Sequence, residues 1–151
     1  MQSFSPGHIT GFFQICDEPE DLLQKGSRGA GVSVSRGVMT TVKTTRSMKT
    51  ETQIKINGNL AVSAPVSKRV VDTLLGFTSD KGHRIEIDHE VGLPIGCGFG
   101  TSGAAALGLA FALNEALDLG LSQLKAAQIA HIVEVECKTG LGTVIAETVG
   151  G

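Results

Sequence analysis

Apolar and polar positions alternate along the first part of the chain, and the period then lengthens. In "AGVSVSRGVMTTVKTT", Val32 and Val34 alternate with serines and are followed by Val38, Thr40 and Val42. Alternation of this kind marks half-buried strands, and the Arg36-Gly37 pair between the two runs predicts a hairpin turn there. The opening "SFSPGHITGFFQI" reads as strand, bend, strand around Pro6-Gly7. Asp17 to Gly31, "DEPEDLLQKGSRGAG", is polar and punctuated by glycine, which predicts a loop with one helical turn. Ile54 and Ile56 alternate with Gln53, Lys55 and Asn57, and Asn57-Gly58 is a strong signal for a tight hairpin.

Helical spacing begins after Pro65, where Val66, Val70, Leu74 and Phe77 share a face and Gly76 lies near the end. His83 to about Glu90 returns to alternation and predicts a strand. Ala104 to Leu113 is apolar nearly all round and rich in Ala and Gly, the pattern of a buried, closely packed helix. Ser122 is placed to cap a further helix, with Leu124, Ala127, Ile129, Ile132 and Val135 on one broad apolar side. The tail "TGLGTVIAETVGG" starts as a loop, continues as a short helix and ends at a turn-like Val149-Gly150-Gly151. Strands come early and helices late, so the expected class is α+β rather than a regular βαβ chain.

Composition narrows the partners. At 151 residues one core, and hence one domain, is expected. A net charge of −2 leaves no electrostatic footprint for nucleic acid, and the absence of Trp and Tyr removes a stacking platform for bases. Cys16, Cys97 and Cys137 form no CxxC pair, a pattern of reduced thiols in a cytoplasmic protein. The apolar run at Ala104 is about half of the roughly 20 residues a membrane span requires, so no membrane partner is expected.

The chemistry concentrates in "GLPIGCGFGTSGAAALGLAFALNEAL", Gly92 to Leu117. Gly96, Gly98, Gly100 and Gly103 can take positive φ and expose backbone N–H groups, and Thr101-Ser102 then opens a helix. Unpaired N–H groups and the positive end of the helix dipole together make an anion site, with the two hydroxyls available to phosphate or Mg²⁺. "GFGTSG" formally matches the dinucleotide pattern GxGxxG. Gly92 and Pro94 interrupt the required strand-to-turn junction, however, and the acidic residue expected about 20 positions later, after a second strand, is missing, since Asp118, the nearest, closes the helix. No Lys follows the last glycine, so it is not a Walker loop.

Pro94 to Ala106, "PIGCGFGTSGAAA", resembles the phosphate loop of the GHMP kinase superfamily, P-x-G-x-G-L-G-S-S-A-A. Phe99 stands for the usual Leu, Thr101 for the first Ser and Gly103 for the first Ala. "SPGHITGFF" resembles the superfamily's first motif, with His8 at the basic position. "AHIVEVECKTGLGTVIAETVGG" resembles the stretch that carries a Mg²⁺-binding Glu and then the catalytic Asp. Within the superfamily, "PGHITGFF", "KGSRGAG" and "AHIVEVECKTGLG" are similar to the archaeal branch that phosphorylates pantoate.

The resemblance implies the two-layer α/β amino-terminal half of that fold, a mixed sheet with helices on one face, spanning residues 1–151. It implies ATP- and Mg²⁺-dependent transfer of phosphoryl to the hydroxyl of pantoate, giving 4-phosphopantoate in archaeal coenzyme A synthesis. On the alignment Pro94, Gly96, Gly98, Gly100, Thr101, Ser102, Gly103 and Ala104 hold the nucleotide phosphates. Ser102 and one of Glu134 or Glu136 bind the metal. Those glutamates lie about 200° apart round a helix, so only one faces the site, and the spacing to "TGLG" favours Glu134. Lys25 and Arg28 are candidates for the substrate carboxylate. His8 meets substrate or stabilises its own turn, and His131 is structural. His131, Glu134 and Cys137 spread about 120° round a helix and do not make a zinc site.

Two departures stand out. Thr143 occupies the position of the catalytic Asp, and a threonine does not accept a proton at neutral pH. The superfamily's second half, which closes over the cleft, has no counterpart in these residues. A homodimer, a separately supplied carboxy-terminal half, or a truncated remnant would each account for that. The alternative functions are a non-catalytic nucleotide-binding subunit and another kinase of the superfamily, of the homoserine, mevalonate or shikimate type.

Overall fold

The computed structural model describes residues 1–80 and 82–150; Lys81 and Gly151, the end of the expected terminal turn, lie outside the described residues. The elements are β1 (Gln2–Cys16), β2 (Gly26–Arg46), β3 (Glu51–Ile56), β4 (Asn59–Leu60), α1 (Pro65–Leu75), β5 (His83–Val91), α2 (Thr101–Ala116), α3 (Gln123–Cys137) and α4 (Thr143–Val149). One five-stranded sheet has the order β1-β2-β5-β3-β4. Among the described residues only the β3–β5 pairing is parallel, so the sheet is mixed. Alternation turns Val42, Ile54, Ile85 and Ile87 inward, where they meet α1, α2 and α3 in a single core. Arg84, Glu86 and Glu90 of β5 lie on the opposite face, so the helices cover one side only.

Three local expectations are corrected. Arg36-Gly37 is not a hairpin, because β2 runs straight through it. The strand instead bulges there: Pro6 faces Gly37 and Gly7 faces Val34, which leaves Ser35 and Arg36 unopposed. Glycine is required because a Cβ at Gly37 would overlap the Ser5 carbonyl oxygen. Pro6-Gly7 likewise makes no bend that ends the strand, and β1 is continuous. The loop expected through Gly31 ends at Lys25, because Gly26 to Gly31 pair with β1. Those glycines are sheet positions kept small by their neighbours: a Cβ at Gly29 would strike the Phe12 carbonyl, and one at Gly31 the His8 ring.

Other signals are met in kind. Asn57 and Gly58 take φ of 50° and 76° and join β3 to β4 as a tight turn. Pro65 opens α1, whose Val66, Val70 and Leu74 are buried, while Phe77 lies past its end and is exposed. Ser122 Oγ accepts the Lys125 N–H at 3.2 Å and caps α3. Along α2, Gly103, Ala104, Ala106, Leu107, Gly108, Leu109, Ala110, Ala112 and Leu113 are all buried. Gly108 allows close approach to β2, since a Cβ there would lie 2.9 Å from Thr40 Oγ1. The far arm of the β1–β2 hairpin extends past the helices, leaving Ile9, Phe12, Phe13, Ile15 and Val32 exposed. Among the described residues no helix is long and apolar enough to cross a membrane.

Leu113→Ala should therefore cost about 2–5 kcal/mol in denaturant unfolding, as expected for a cavity in a packed core. Phe12→Ala, on the exposed arm, should change stability by no more than about 0.5 kcal/mol. A comparable loss in both would contradict the placement of the core.

Candidate functional site

Gly96, Gly98 and Gly100 have φ of 75°, 80° and 66°, a left-handed conformation that a side chain disfavours. A Cβ at Gly96 or Gly98 would meet nothing within 4 Å, so conformation rather than crowding selects glycine there. α2 begins directly after Gly100 with no side-chain cap. Among the described residues the N–H groups of Gly98 to Gly103 have no protein acceptor. The uncapped end opens on a cleft of about 660 Å³. Free N–H groups and the positive end of a buried helix make this wall attractive to an anion.

Two carboxyl groups stand close to that helix end. Glu134, on α3 and 2% exposed, accepts hydrogen bonds through Oε1 from Ser102 Oγ at 2.6 Å and Thr139 Oγ1 at 2.7 Å. Its neighbour Glu136 points away to the surface, where Arg69 Nε donates to it at 2.8 Å and lowers its pKa. Glu147, on α4, is also 2% exposed, and neither of its oxygens has a partner among the described residues. Its carboxyl lies against Gly100 and Gly103, positions where a side chain would collide with it. Burial, and then the charge of Glu134, push its pKa up to about 9, so it is protonated at neutral pH. Thr143 is close by: a Cβ at Gly103 would lie 3.0 Å from Thr143 Oγ1.

Gly96, Gly98, Gly100, Thr101, Ser102, Gly103, Glu134 and Thr143 line one cleft together. Pro94 and Ala104 flank it, the first exposed before the loop and the second buried in the first turn of α2. His8, Lys25 and Arg28 are not in its lining. The His8 N–H donates to the Phe99 carbonyl at 3.0 Å and ties β1 to the glycine loop, while its ring is buried against Gly31. The Lys25 carbonyl lies 2.9 Å from His131 Nε2, which gives that histidine a structural bond. Arg28 is exposed on β2 opposite Gln14. Between them Ser27 packs on Gly142, so this end of the hairpin abuts the turn before Thr143 without reaching the cleft.

Sequence reasoning passed over three features of the site. Thr139 is an ordinary-looking hydroxyl whose role depends on the left-handed Lys138 that ends α3. Glu147 was visible as the one acid in "TVIAETV", a segment otherwise fit for burial. The third is a buried chain in which Thr40 Oγ1 lies 2.9 Å from His89 Nδ1 and Ser67 Oγ lies 3.0 Å from His89 Nε2. Strand alternation already put His89 on the inner face with Ile85 and Ile87.

Residues 59–151 match the family described as the GHMP kinases N terminal domain. The pantoate kinase of Methanocaldococcus jannaschii is 41% identical over 148 residues, covering 98% of this chain and 50% of that protein. The pantoate kinase of Thermococcus kodakarensis is 36% identical over 155 residues, covering 100% and 50%. A solved structure described as a phosphotransferase related to the CoA biosynthesis pathway superposes with a TM-score of 0.89 at 34% identity, covering 97% of this chain and 49% of that one. The mevalonate kinase of Methanococcus jannaschii superposes at 0.70 with 14% identity, a likeness of fold alone. The chain thus spans about half the length of the relatives it matches.

Glu147 yields a pH prediction. Its pKa in the folded protein is raised from 4.5 to about 9. Between those values the unfolded chain releases the proton and the folded one keeps it, so this residue's effect makes stability fall as pH rises. Glu147→Gln should remove that slope and unfold at higher urea concentration than the parent near pH 8, by several kcal/mol, with little difference near pH 4. An unchanged slope would contradict the buried, unpartnered state.

Proposed function

This chain belongs to the GHMP kinase family, and we propose that it is the ATP-binding half of a pantoate kinase, transferring the γ-phosphoryl of ATP to the hydroxyl of pantoate. The observation that carries the reading is the uncapped start of α2 set against the Ser102–Glu134–Thr139 cluster. Phosphoryl transfer needs positioning and charge neutralisation more than covalent participation. The N–H groups of Gly98 to Gly103 orient the triphosphate, and the burial of α2 keeps them in place.

The oxygen donors of Ser102 and Glu134 fit Mg²⁺, a hard cation that takes few protein ligands and shares the phosphates. Among the described residues no group of three or more His, Cys, Asp or Glu gathers to hold a metal ion. When bound, Mg²⁺ supplies neutralisation of phosphate charge. The apolar end of the cleft, formed by Ile56, Val66, Val91 and Ile95, accommodates the flat nucleobase. Lys25 and Arg28, beside the Gly142 turn, serve the carboxylate of pantoate once the cleft is closed. Closure falls to the half of the relatives' length that this chain does not span, or to a second copy. Cys16, Cys97 and Cys137 are free thiols, in keeping with a reducing, cytoplasmic setting.

A second reading is a non-catalytic nucleotide-binding subunit. Thr143 favours it, since a hydroxyl lines the cleft where the resemblance expects a carboxylate. In the kinase reading the acceptor hydroxyl is activated by positioning, with Thr143 as a hydrogen-bond partner.

Calorimetry with ATP and Mg²⁺ and a coupled assay for ADP with pantoate test both readings. Ser102→Ala should weaken ATP binding about tenfold, and Gly100→Val should abolish it. Unchanged ATP affinity in both variants, with the fold intact, would overturn the site. Turnover by the parent favours the kinase, and binding without turnover that Thr143→Asp restores favours the subunit.

A further inference from the structure

The apolar end of the cleft carries one buried hydroxyl, that of Ser67 at the start of α1, which is 6% exposed. Its Oγ lies 3.0 Å from His89 Nε2, and His89 Nδ1 lies 2.9 Å from Thr40 Oγ1. Thr40 is fully buried and has no other side-chain hydrogen bond among the described residues. Burial pushes the His89 pKa down to about 4, so the ring is neutral at pH 7, with one donor and one acceptor nitrogen.

The direction of the chain follows from the proton count. With the ring proton on Nδ1, Thr40 would accept it, and the threonine's own hydroxyl hydrogen would be buried without an acceptor. That arrangement is costly. With the proton on Nε2, Thr40 donates to Nδ1 and Nε2–H donates to Ser67 Oγ. The Ser67 hydroxyl hydrogen, for which the described residues offer no other acceptor, is then left for the cleft.

We propose that Thr40 and His89 are positioning residues that fix Ser67 as a hydrogen-bond donor to an acceptor ring nitrogen of the nucleobase. The inference rests on the nucleotide reading and adds a means of base selection at the apolar end of the cleft. A flat heteroaromatic ring with an acceptor nitrogen satisfies both the apolar wall and the single donor. A phosphate or sugar at that end would leave the apolar wall unused.

Two measurements on the full chain test it. Nitrogen-15 NMR of labelled histidine, with His89 assigned by loss of its signals in His89→Gln, should show Nε2 protonated and Nδ1 bare. The reverse tautomer would overturn the proposal whatever the ligand. Calorimetry then compares ATP with tripolyphosphate. Ser67→Ala and Thr40→Val should each weaken ATP binding about 3- to 10-fold, the worth of one neutral hydrogen bond, and leave tripolyphosphate binding unchanged. Thr40→Ser should restore the ATP affinity, which a role in packing alone would not require. Equal loss of both ligands, or no loss of either, would overturn this proposal alone. Failure of the parent chain to bind either ligand would overturn the nucleotide reading and this inference with it.

Discussion

Helix α2 is mostly buried from Gly103 to Leu113, yet the N–H groups of Thr101 to Gly103 have no protein acceptor among the described residues. A buried helix with an unsatisfied end is expensive unless that end meets solvent or ligand. The rest of the domain is arranged round that condition. The sheet, α1 and α3 grip α2, and Gly103 and Gly108 let β2 and α4 come close enough to hold it. β1 reaches the loop itself through the His8–Phe99 bond. The glycine backbone is thus a rigid lining, and its left-handed residues keep donors exposed where side chains would have covered them.

The same helix end separates two buried carboxyls in different states. Glu134 accepts two hydroxyl hydrogen bonds through one oxygen and suits a cation near phosphate. Glu147 has none, and burial together with its acidic neighbour keeps it protonated. A second full negative charge here would oppose an anion at the loop. Its neutrality therefore makes the site compatible with phosphate, at some expense of stability.

Much of this was legible in the residues, for identifiable reasons. The glycine loop, the Ser122 cap, the Asn57-Gly58 turn and the facing of Glu134 rather than Glu136 toward the cleft all depend on local spacing, which the chain states directly. The failures at Arg36-Gly37 and at Gly26 to Gly31 share one cause. Glycine was read as a turn residue where its use is close approach between β1 and β2, a contact between segments distant in sequence. The Ser67–His89–Thr40 chain escaped for the same reason, since it joins α1, β5 and β2. Lys25 and Arg28 do not line the cleft, and Ser27 between them packs on Gly142, just before Thr143.

The central claim is that the backbone of Gly98 to Gly103 holds triphosphate. Proton–nitrogen correlation spectra of the chain titrated with ATP and Mg²⁺ test it most directly, because each amide reports its own hydrogen bond. The account predicts that the largest shifts fall on the amides of Gly98, Gly100, Thr101, Ser102 and Gly103. Shifts confined to the β1–β2 hairpin arm or to α4, with the amides of the loop unmoved, would contradict it.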